Sequence, residues 1–248
     1  MKGVSIRQIR PIVLAVLLVN IAAIPLLAKP NATYTPSVVY APPVPNIFTV
    51  PENLSDLALQ SGSQFSIDIN ISYVEDCYAY QVMLNWTPSM LDIHYASFAG
   101  FLPGAAPFMR PNNVEGYIIL GETLQGGGYG VDGEGRLATL NFTVQDYGST
   151  EFPFDMRTSP AVTYVLDHWL IEQDITTTDG YFRNMGPGDA NADNTVDIFD
   201  IGKISSHWYP GPPAGPAGYN KDADMNLDGS VDIFDIGITS ANWGNPYP

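Results

Sequence analysis

Asp and Asn side chains recur at a fixed spacing in two segments near the C-terminal end of this 248-residue chain. Both segments have side-chain oxygens at the first, third, fifth, ninth and twelfth positions, and the backbone carbonyl of the seventh residue adds another. A hard cation such as Ca²⁺ takes about six to eight oxygen ligands, so this spacing predicts two calcium ions. The predicted ligands are Asp189, Asn191, Asp193, Thr195, Asp197 and Asp200 in the first segment, and Asp224, Asn226, Asp228, Ser230, Asp232 and Asp235 in the second.

The sixth position of each segment must bend sharply for the loop to close around an ion. Gly229 adopts a positive φ without steric penalty, and Asn194, in the same place of the first loop, is the best non-glycine residue for that conformation. The repeat continues beyond the ligands, because residues 196–202 and 231–237 are the same heptapeptide. Two complete loops in register favour metal binding over acidic turns, since carboxylates held this close repel one another without a cation.

Each loop leads into a short helical pattern, whereas Pro and Gly residues precede the first loop. Loop then helix, twice, resembles a type I dockerin over residues 187–244, the calcium-dependent adaptor module of cellulosome-type assemblies. Two features depart from the usual pattern: the twelfth loop residue is Asp rather than the Glu of an EF-hand, and the spacer at 209–218 is rich in Pro and Gly. The resemblance implies a small all-α module with two EF-hand-like loop–helix repeats. Its implied core is Val196, Ile201, Ile204, Val231 and Ile236.

The tenth and eleventh loop positions, which the dockerin family uses for recognition, carry large apolar pairs here. They are Ile198 and Phe199 in the first copy and Ile233 and Phe234 in the second. Two interpretations are open at this point: the pairs bind a partner, with Phe199 and Phe234 as the main contacts, or they complete the module's own core. Because the pair is duplicated, either copy could present the same surface, which predicts two binding orientations.

Residues 46–183 alternate apolar and polar side chains with a period of two. The clearest stretches run from Phe65 to Tyr73, from Tyr80 to Trp86 and from Ala138 to Val144. This period is typical of strands with one buried face. No segment has a convincing helical period, so the sequence predicts an antiparallel β-sandwich.

Three stretches of this region, in order, resemble a cohesin domain, the jelly-roll module that binds dockerins. They are a strand ending in Trp86-Thr-Pro with the next strand beginning at Leu91, the segment 135–144, and the segment 178–182. Related sandwiches that bind carbohydrate share much of this pattern. The resemblance implies that one flat sheet face receives dockerin helices, and the sequence does not identify which residues form that face.

The N-terminal segment has the pattern of an export signal. Lys2, Arg7 and Arg10 precede an apolar run that ends at Ala28, which predicts a cleaved signal over residues 1–28 and a Pro-rich tether over 29–45. An uncleaved membrane anchor is the alternative. The protein is therefore expected to be secreted, or tethered to the cell surface. The candidate glycosylation sites are Asn31, Asn53, Asn70, Asn85 and Asn141.

Charge and composition argue against several functions. A formal net charge of -16 with 10 Lys and Arg residues disfavours binding to nucleic acid and to anionic membranes. Cys77 is the single cysteine, and the three histidines are scattered without a ligand spacing. No nucleophile elbow, phosphate loop or acid pair is recognisable, so no catalytic residue is predicted and the protein is not expected to be an enzyme.

These features together predict a non-catalytic, exported assembly protein. The expected partners are a dockerin-bearing protein on the sandwich and a cohesin-bearing protein on the C-terminal module. Residues 184–188 are too few, on this interpretation, for one domain to fold back onto the other, so complementary modules would associate head to tail between chains. A connector of two different partners is favoured. The alternative is a carbohydrate-binding or surface-layer adhesion protein that uses residues such as Trp86 and Trp169.

Overall fold

A computed structural model describes residues 43–156, 163–211 and 219–247. The predicted export signal, most of the predicted tether, Asn31 and most of the 209–218 spacer lie outside the described residues. Within the described ranges, no helix is both long enough and apolar enough to cross a membrane.

Alternating side chains produce twelve strands in the described part of the chain, and two helices follow them. The strands are β1 Asn46–Val50, β2 Asn53–Ser55, β3 Gln64–Cys77, β4 Ala79–Asn85, β5 Leu91–Phe98, β6 Ala106–Asn112, β7 Tyr117–Thr123, β8 Val131–Val144, β9 Ser149–Phe152, β10 Tyr164–Leu166, β11 Thr176–Thr178 and β12 Gly180–Arg183; the helices are α1 Ile198–Ser206 and α2 Ile233–Ala241.

The strands form two main sheets and one small one. The five-stranded sheet has the order β11-β1-β3-β8-β5, the four-stranded sheet β10-β4-β7-β6, and the three-stranded sheet β2-β12-β9. The pairings within the four-stranded sheet are antiparallel, as are β1–β3, β3–β8 and β5–β8. The predicted mainly β sandwich is confirmed. Two short pairs depart from the antiparallel prediction, since β11 lies parallel to β1 and β2 lies parallel to β12.

The apolar faces of the two main sheets meet in one core. Ile67, Ile69 and Ile71 of β3 are buried, as the period of two predicts. Phe142 of β8 lies at the centre of an aromatic cluster, with its ring centroid 5.1 Å from that of Trp86 and 5.4 Å from that of Phe152. Burial of large aromatic and aliphatic side chains supplies most of the favourable free energy of folding in such a layer.

One core prediction in β3 is wrong. Tyr73, which continues the apolar alternation, is 57% exposed and has a φ of 59°. The pairing of β3 with β8 shifts register between Ile71 and Val74, and Val74 takes the buried position instead. A β-bulge inserts an extra residue and so reverses the face on which the following side chains lie.

Each helix begins where its loop ends. Asp197 is the N-cap of α1 and accepts from the backbone N–H of Phe199, while the side chain of Asp200 accepts from the N–H of Asp197. Asp232 and Asp235 form the same capping box at α2. Because the caps satisfy backbone donors that the first turn leaves free, the loop sequence itself sets the helix start.

Truncation of Phe142 tests the aromatic core. We expect Phe142→Ala to lower the free energy of unfolding by about 3–5 kcal/mol, because it removes a fully buried ring and leaves a cavity. Urea denaturation measures the change. The control is Val114→Ala, which shortens an exposed apolar side chain and should change stability by less than about 0.5 kcal/mol. Equal effects of the two variants would contradict this packing.

Candidate metal centre and partner-binding surfaces

The first residue of each loop is held by backbone donors from within the same loop. Asp189 Oδ1 accepts from the N–H of Asp193 at 3.2 Å, and its Oδ2 accepts from the N–H of Asn194 at 2.9 Å. Asp224 accepts in the same way from Asp228 at 3.2 Å and from Gly229 at 2.8 Å. Asn194 and Gly229 both have positive φ, at 69° and 89°, so the predicted sharp bends are present.

The twelfth residue of each loop returns from its helix to the start of the loop. Asp200 Oδ1 accepts from the N–H of Asn191 at 3.0 Å. Asp235 Oδ1 accepts from the N–H of Met225 at 2.7 Å. The loops therefore close on themselves, with the first and twelfth carboxylates drawn into the interior.

Four carboxylates are fully buried by this closure. Asp189, Asp200, Asp224 and Asp235 are each 0% exposed, and no ion pair among the described residues reaches any of them. Burial raises the pKa of Asp189, and the charge of Asp200 raises it further. Burial likewise raises the pKa of Asp235, with the charge of Asp224 acting in the same direction. Buried negative charges without a counter-charge are strongly unfavourable, so each loop fits a bound cation.

Carboxylate geometry alone does not complete the donor set. His, Cys, Asp and Glu side chains within the described residues form no group of three or more that is arranged as a metal site by itself. A calcium loop also uses amide and backbone carbonyl oxygens, and its ninth residue often acts through a water. Asn191 and Asn226 would provide the amide oxygens, whereas one carboxylate oxygen of Asp197 and one of Asp232 serve as helix N-caps.

The two copies close around each other reciprocally. Val231 of the second loop exchanges backbone hydrogen bonds of 2.7 and 2.8 Å with Tyr209, which follows α1. Val196 of the first loop accepts at 2.9 Å from the N–H of Gly244, which follows α2. Each loop thus pairs with the segment behind the other copy's helix, so that the two halves stabilise one module.

The small core of this module differs partly from the expected one. Val196, Ile204 and Val231 are buried as predicted, and Ile236 packs against the cluster. Ile201 is also half-buried but does not belong to this cluster, so its place in the core was predicted incorrectly. The residues that the sequence analysis missed are Ala190, Ala223 and Met225. They lie next to the first ligand of each loop, where the ligand pattern rather than an apolar period dominates the sequence.

The duplicated apolar pairs lie on the surface. Ile198, Phe199, Ile233 and Phe234 are 59%, 69%, 61% and 68% exposed. Of the two interpretations left open by the sequence, completion of the module's own core is therefore excluded. Exposed large apolar side chains at the first turn of each helix form two similar patches, and such patches are typical of interaction sites.

The helical module packs against the sandwich, and the expectation that it could not fold back was wrong. Asp222, just before the second loop, accepts from Tyr181 of β12 at 2.7 Å and from Lys203 of α1 at 3.1 Å. Arg183, the last residue of β12, donates to the backbone carbonyls of Asp224 at 3.0 Å and Met225 at 2.8 Å. These contacts bring the sandwich to the start of the second loop.

The connection between the modules is buried rather than a free linker. Asn184 and Met185 are almost inaccessible to solvent. The Asn184 side chain accepts from the N–H of Gly148 at 2.8 Å and donates to the carbonyl of Leu59 at 2.8 Å. Pro and Gly residues at 186–188 correctly indicated a loop. The hydrogen bonds of Asn184 could not be predicted, because its partners are distant in sequence.

The outer faces of the two main sheets differ in character. On the four-stranded sheet, Phe108 is 53% exposed, and Ile119 lies between Met83 and Arg110 in neighbouring strands. The centre of the outer face of the five-stranded sheet is polar, where Asp68 accepts from Thr139 at 2.5 Å. The four-stranded sheet therefore presents the more apolar surface.

The aromatic residues considered for sugar stacking separate into two groups. Trp86 is buried, as its place in the alternation predicts, so it is removed from that role. Trp169 is 69% exposed, and its ring centroid lies 3.6 Å from that of His168. The ring of His168 also contacts the exposed Tyr129, with a centroid distance of 4.7 Å.

The candidate glycosylation sites within the described residues differ in accessibility. Asn53 is exposed, whereas Asn70, Asn85 and Asn141 lie half-buried on β3, β4 and β8. Asn141 already accepts from Ser66, and Asn85 donates to the carbonyl of Pro153. Glycan attachment stays a prediction, with Asn53 the most accessible of these four.

The sequence of the helical module matches a known family. Residues 187–239 match the model described as the Dockerin type I domain, which confirms the resemblance for that segment. No curated protein matches the chain.

Several solved structures are similar to the chain at low identity. A non-cellulosomal cohesin from the hyperthermophilic archaeon Archaeoglobus fulgidus has 14% identity and a TM-score of 0.46, and the match covers 58% of this chain and 93% of that one. The third cohesin ScaC of Acetivibrio cellulolyticus, in complex with the ScaB dockerin, has 17% identity and a TM-score of 0.48, covering 57% and 99%. A type II cohesin domain from the cellulosome of Acetivibrio cellulolyticus has 13% identity and a TM-score of 0.48, covering 58% and 96%.

Replacement of Arg183 tests the contact between the modules. We expect Arg183→Met to lower the free energy of unfolding in calcium by about 2–4 kcal/mol, because it leaves two buried carbonyls without their charged donor. Urea denaturation measures the change. Arg136→Met is the control, since Arg136 is 52% exposed in its ion pair with Asp68, and such pairs contribute about 0–1 kcal/mol. A loss no larger than the control's would show that the modules do not depend on this contact.

Proposed function

We propose that this chain is a non-catalytic assembly protein that joins two partners through calcium-dependent recognition of the cohesin–dockerin type. The observation that carries the proposal is the C-terminal module, in which two loops of calcium-ligand spacing hold two exposed apolar pairs. Its match to the type I dockerin family supports this assignment. A cohesin-bearing protein would bind the helical module, and a dockerin-bearing protein would bind the sandwich.

Calcium is the proposed cofactor, with one ion in each loop. The buried carboxylates, the Asn amide oxygens and the carbonyls of Thr195 and Ser230 would hold it. A bound ion supplies positive charge that neutralises the carboxylates of the first and twelfth positions. The carboxylates of the twelfth position, Asp200 and Asp235, also anchor the helix starts, so loss of the ion should release the turns that carry the apolar pairs.

The apolar pairs are the proposed recognition residues of the helical module. Phe199 and Phe234 protrude from equivalent positions on two similar helices. Aromatic anchors that become buried commonly contribute a large part of the binding free energy of an interface. Since each copy presents the same two side chains, a partner could bind in either of two orientations.

The outer face of the four-stranded sheet is the proposed recognition surface of the sandwich. It is apolar at the exposed Phe108 and the half-buried Ile119, with Arg110 beside them for a polar contact, whereas Met83 on the same face is buried. Interface cores are enriched in aromatic, Met and Arg residues, whereas the centre of the opposite sheet is polar, where Asp68 accepts from Thr139.

The arrangement of the two modules favours a connector. Their mutual contact uses β12, the region around β9 and the loops, and it leaves both proposed recognition surfaces free. The chain would therefore hold two different partners at once. We place this function outside the cell, because the N-terminal segment has the pattern of an export signal. Self-association between copies is the outcome expected if the two surfaces are complementary.

Carbohydrate binding is the alternative, and one observation favours it. Trp169, His168 and Tyr129 form a small aromatic cluster at one tip of the sandwich. Aromatic faces of this kind can stack on sugar rings.

Calcium removal tests the cofactor. We expect calorimetry of the full chain to detect two calcium sites, and chelation to unfold residues 187–247, because like charges in the loops then repel. Circular dichroism should lose helical signal, and limited proteolysis should cut the module while residues 46–156 stay protected. An unchanged spectrum and cleavage pattern after chelation would contradict the calcium assignment.

Substitution of the apolar pairs tests recognition and its duplication. With type I cohesin domains as probes, Phe199→Ala or Phe234→Ala alone should weaken binding by no more than about threefold, because the other copy remains. The double variant should lose about 100-fold or more. The control is Tyr95→Ala, which removes an exposed aromatic side chain from β5 of the five-stranded sheet. Unchanged binding of the cohesin probe by the double variant would refute this surface.

A separate assay tests the alternative function. If the chain binds polysaccharide and Trp169→Ala loses that binding, carbohydrate binding would be favoured.

A further inference from the structure

The first ligand of each calcium loop receives a tyrosine hydroxyl in addition to its backbone donors. Tyr219 donates to Asp224 Oδ2 at 2.7 Å. Tyr147 donates to Asp189 Oδ2 at 2.8 Å. In both loops the same oxygen also accepts from the backbone N–H of the sixth residue, so the two outer contacts are geometrically equivalent.

The two tyrosines come from different modules. Tyr219 belongs to the helical module and precedes Asp224 by a few residues. Counted back from Asp189, the equivalent position in the first copy is Asn184. Tyr147 instead lies in the turn between β8 and β9 of the sandwich. The first loop therefore takes from the sandwich a contact that the second loop has within its own segment.

Asn184 holds the turn that carries Tyr147. Its side chain accepts from the N–H of Gly148 at 2.8 Å and donates to the carbonyl of Asp146 at 3.2 Å. Gly148 also packs close to the first loop, since a Cβ built there would lie 4.0 Å from that of Ala192. The residue that replaces tyrosine in the first copy thus positions the tyrosine supplied from the sandwich.

The direction of the Tyr147 hydrogen bond is set by its second partner. The hydroxyl accepts from the N–H of Gly186 at 2.7 Å, so its proton is left for Asp189. A hydrogen bond donated to a carboxylate that would hold a metal fixes the orientation of that carboxylate.

We propose that Tyr147 is a positioning residue of the first calcium loop, so that the first loop is complete only when the sandwich is docked on it, whereas the second loop is self-contained. This inference rests on the calcium binding proposed above. Because linkage is reciprocal, calcium in the first loop also stabilises the docked arrangement. The two sites are therefore expected to differ in their dependence on the sandwich.

The test measures calcium affinity by calorimetry in full-length chains that keep one loop. Asp224→Ala leaves the first loop, and Asp189→Ala leaves the second. We expect Tyr147→Phe to weaken the first loop by about 10- to 100-fold, the range typical of lost outer contacts to a metal ligand, and to leave the second loop unchanged. Tyr219→Phe is the matched control, with the opposite selectivity.

Hydrogen exchange of the turn at 145–148 gives a second readout that does not depend on a tyrosine variant. In the Asp224→Ala chain, calcium should slow exchange in this turn. The inference would be overturned if the first loop bound calcium equally well with and without the Tyr147 hydroxyl, or if calcium did not change hydrogen exchange in the turn. Neither outcome would contradict calcium binding itself. Absence of calcium binding by the wild-type chain would instead refute the proposed function.

Discussion

The burial of four carboxylates at the ends of two short loops is the constraint on which the helical module depends. Asp189, Asp200, Asp224 and Asp235 are fully enclosed, although few apolar side chains surround them. Asp200 and Asp235 accept the backbone donors that close each loop and start each helix. A cation that neutralised these carboxylates would therefore also favour formation of the helices, and its binding would contribute directly to the folding free energy.

That dependence explains how the module can leave large apolar side chains in water. A small two-helix unit would ordinarily use Ile198, Phe199 and their copies to enlarge its core. Here the module is closed by the two loops and by backbone hydrogen bonds that join Val196 to Gly244 and Val231 to Tyr209. The apolar pairs remain at the surface, where a partner can cover them.

The contact between the two modules is polar and specific. Tyr181 and Lys203 converge on Asp222, and Arg183 reaches two carbonyls at the start of the second loop. Interfaces within a chain are commonly more polar than protein cores. The hydrogen bond from Tyr147 to Asp189 links this interface to the first loop, so that a proposed metal ligand also takes part in the contact between the modules.

Much of this protein could be predicted from sequence because the relevant signals are local. Ligand spacing, the bend at Asn194 and Gly229, the helix starts and the period-two strands all depend on neighbouring residues. The exposed side of Tyr73 could not be predicted, because a bulge between paired strands reversed the face. The core contributions of Ala190, Ala223 and Met225, the burial of Asn184 and the contact of Tyr147 with Asp189 also required the tertiary structure. Each of these contacts joins residues that are far apart in the chain. The local sequence does not determine which distant residues will pack against a given side chain.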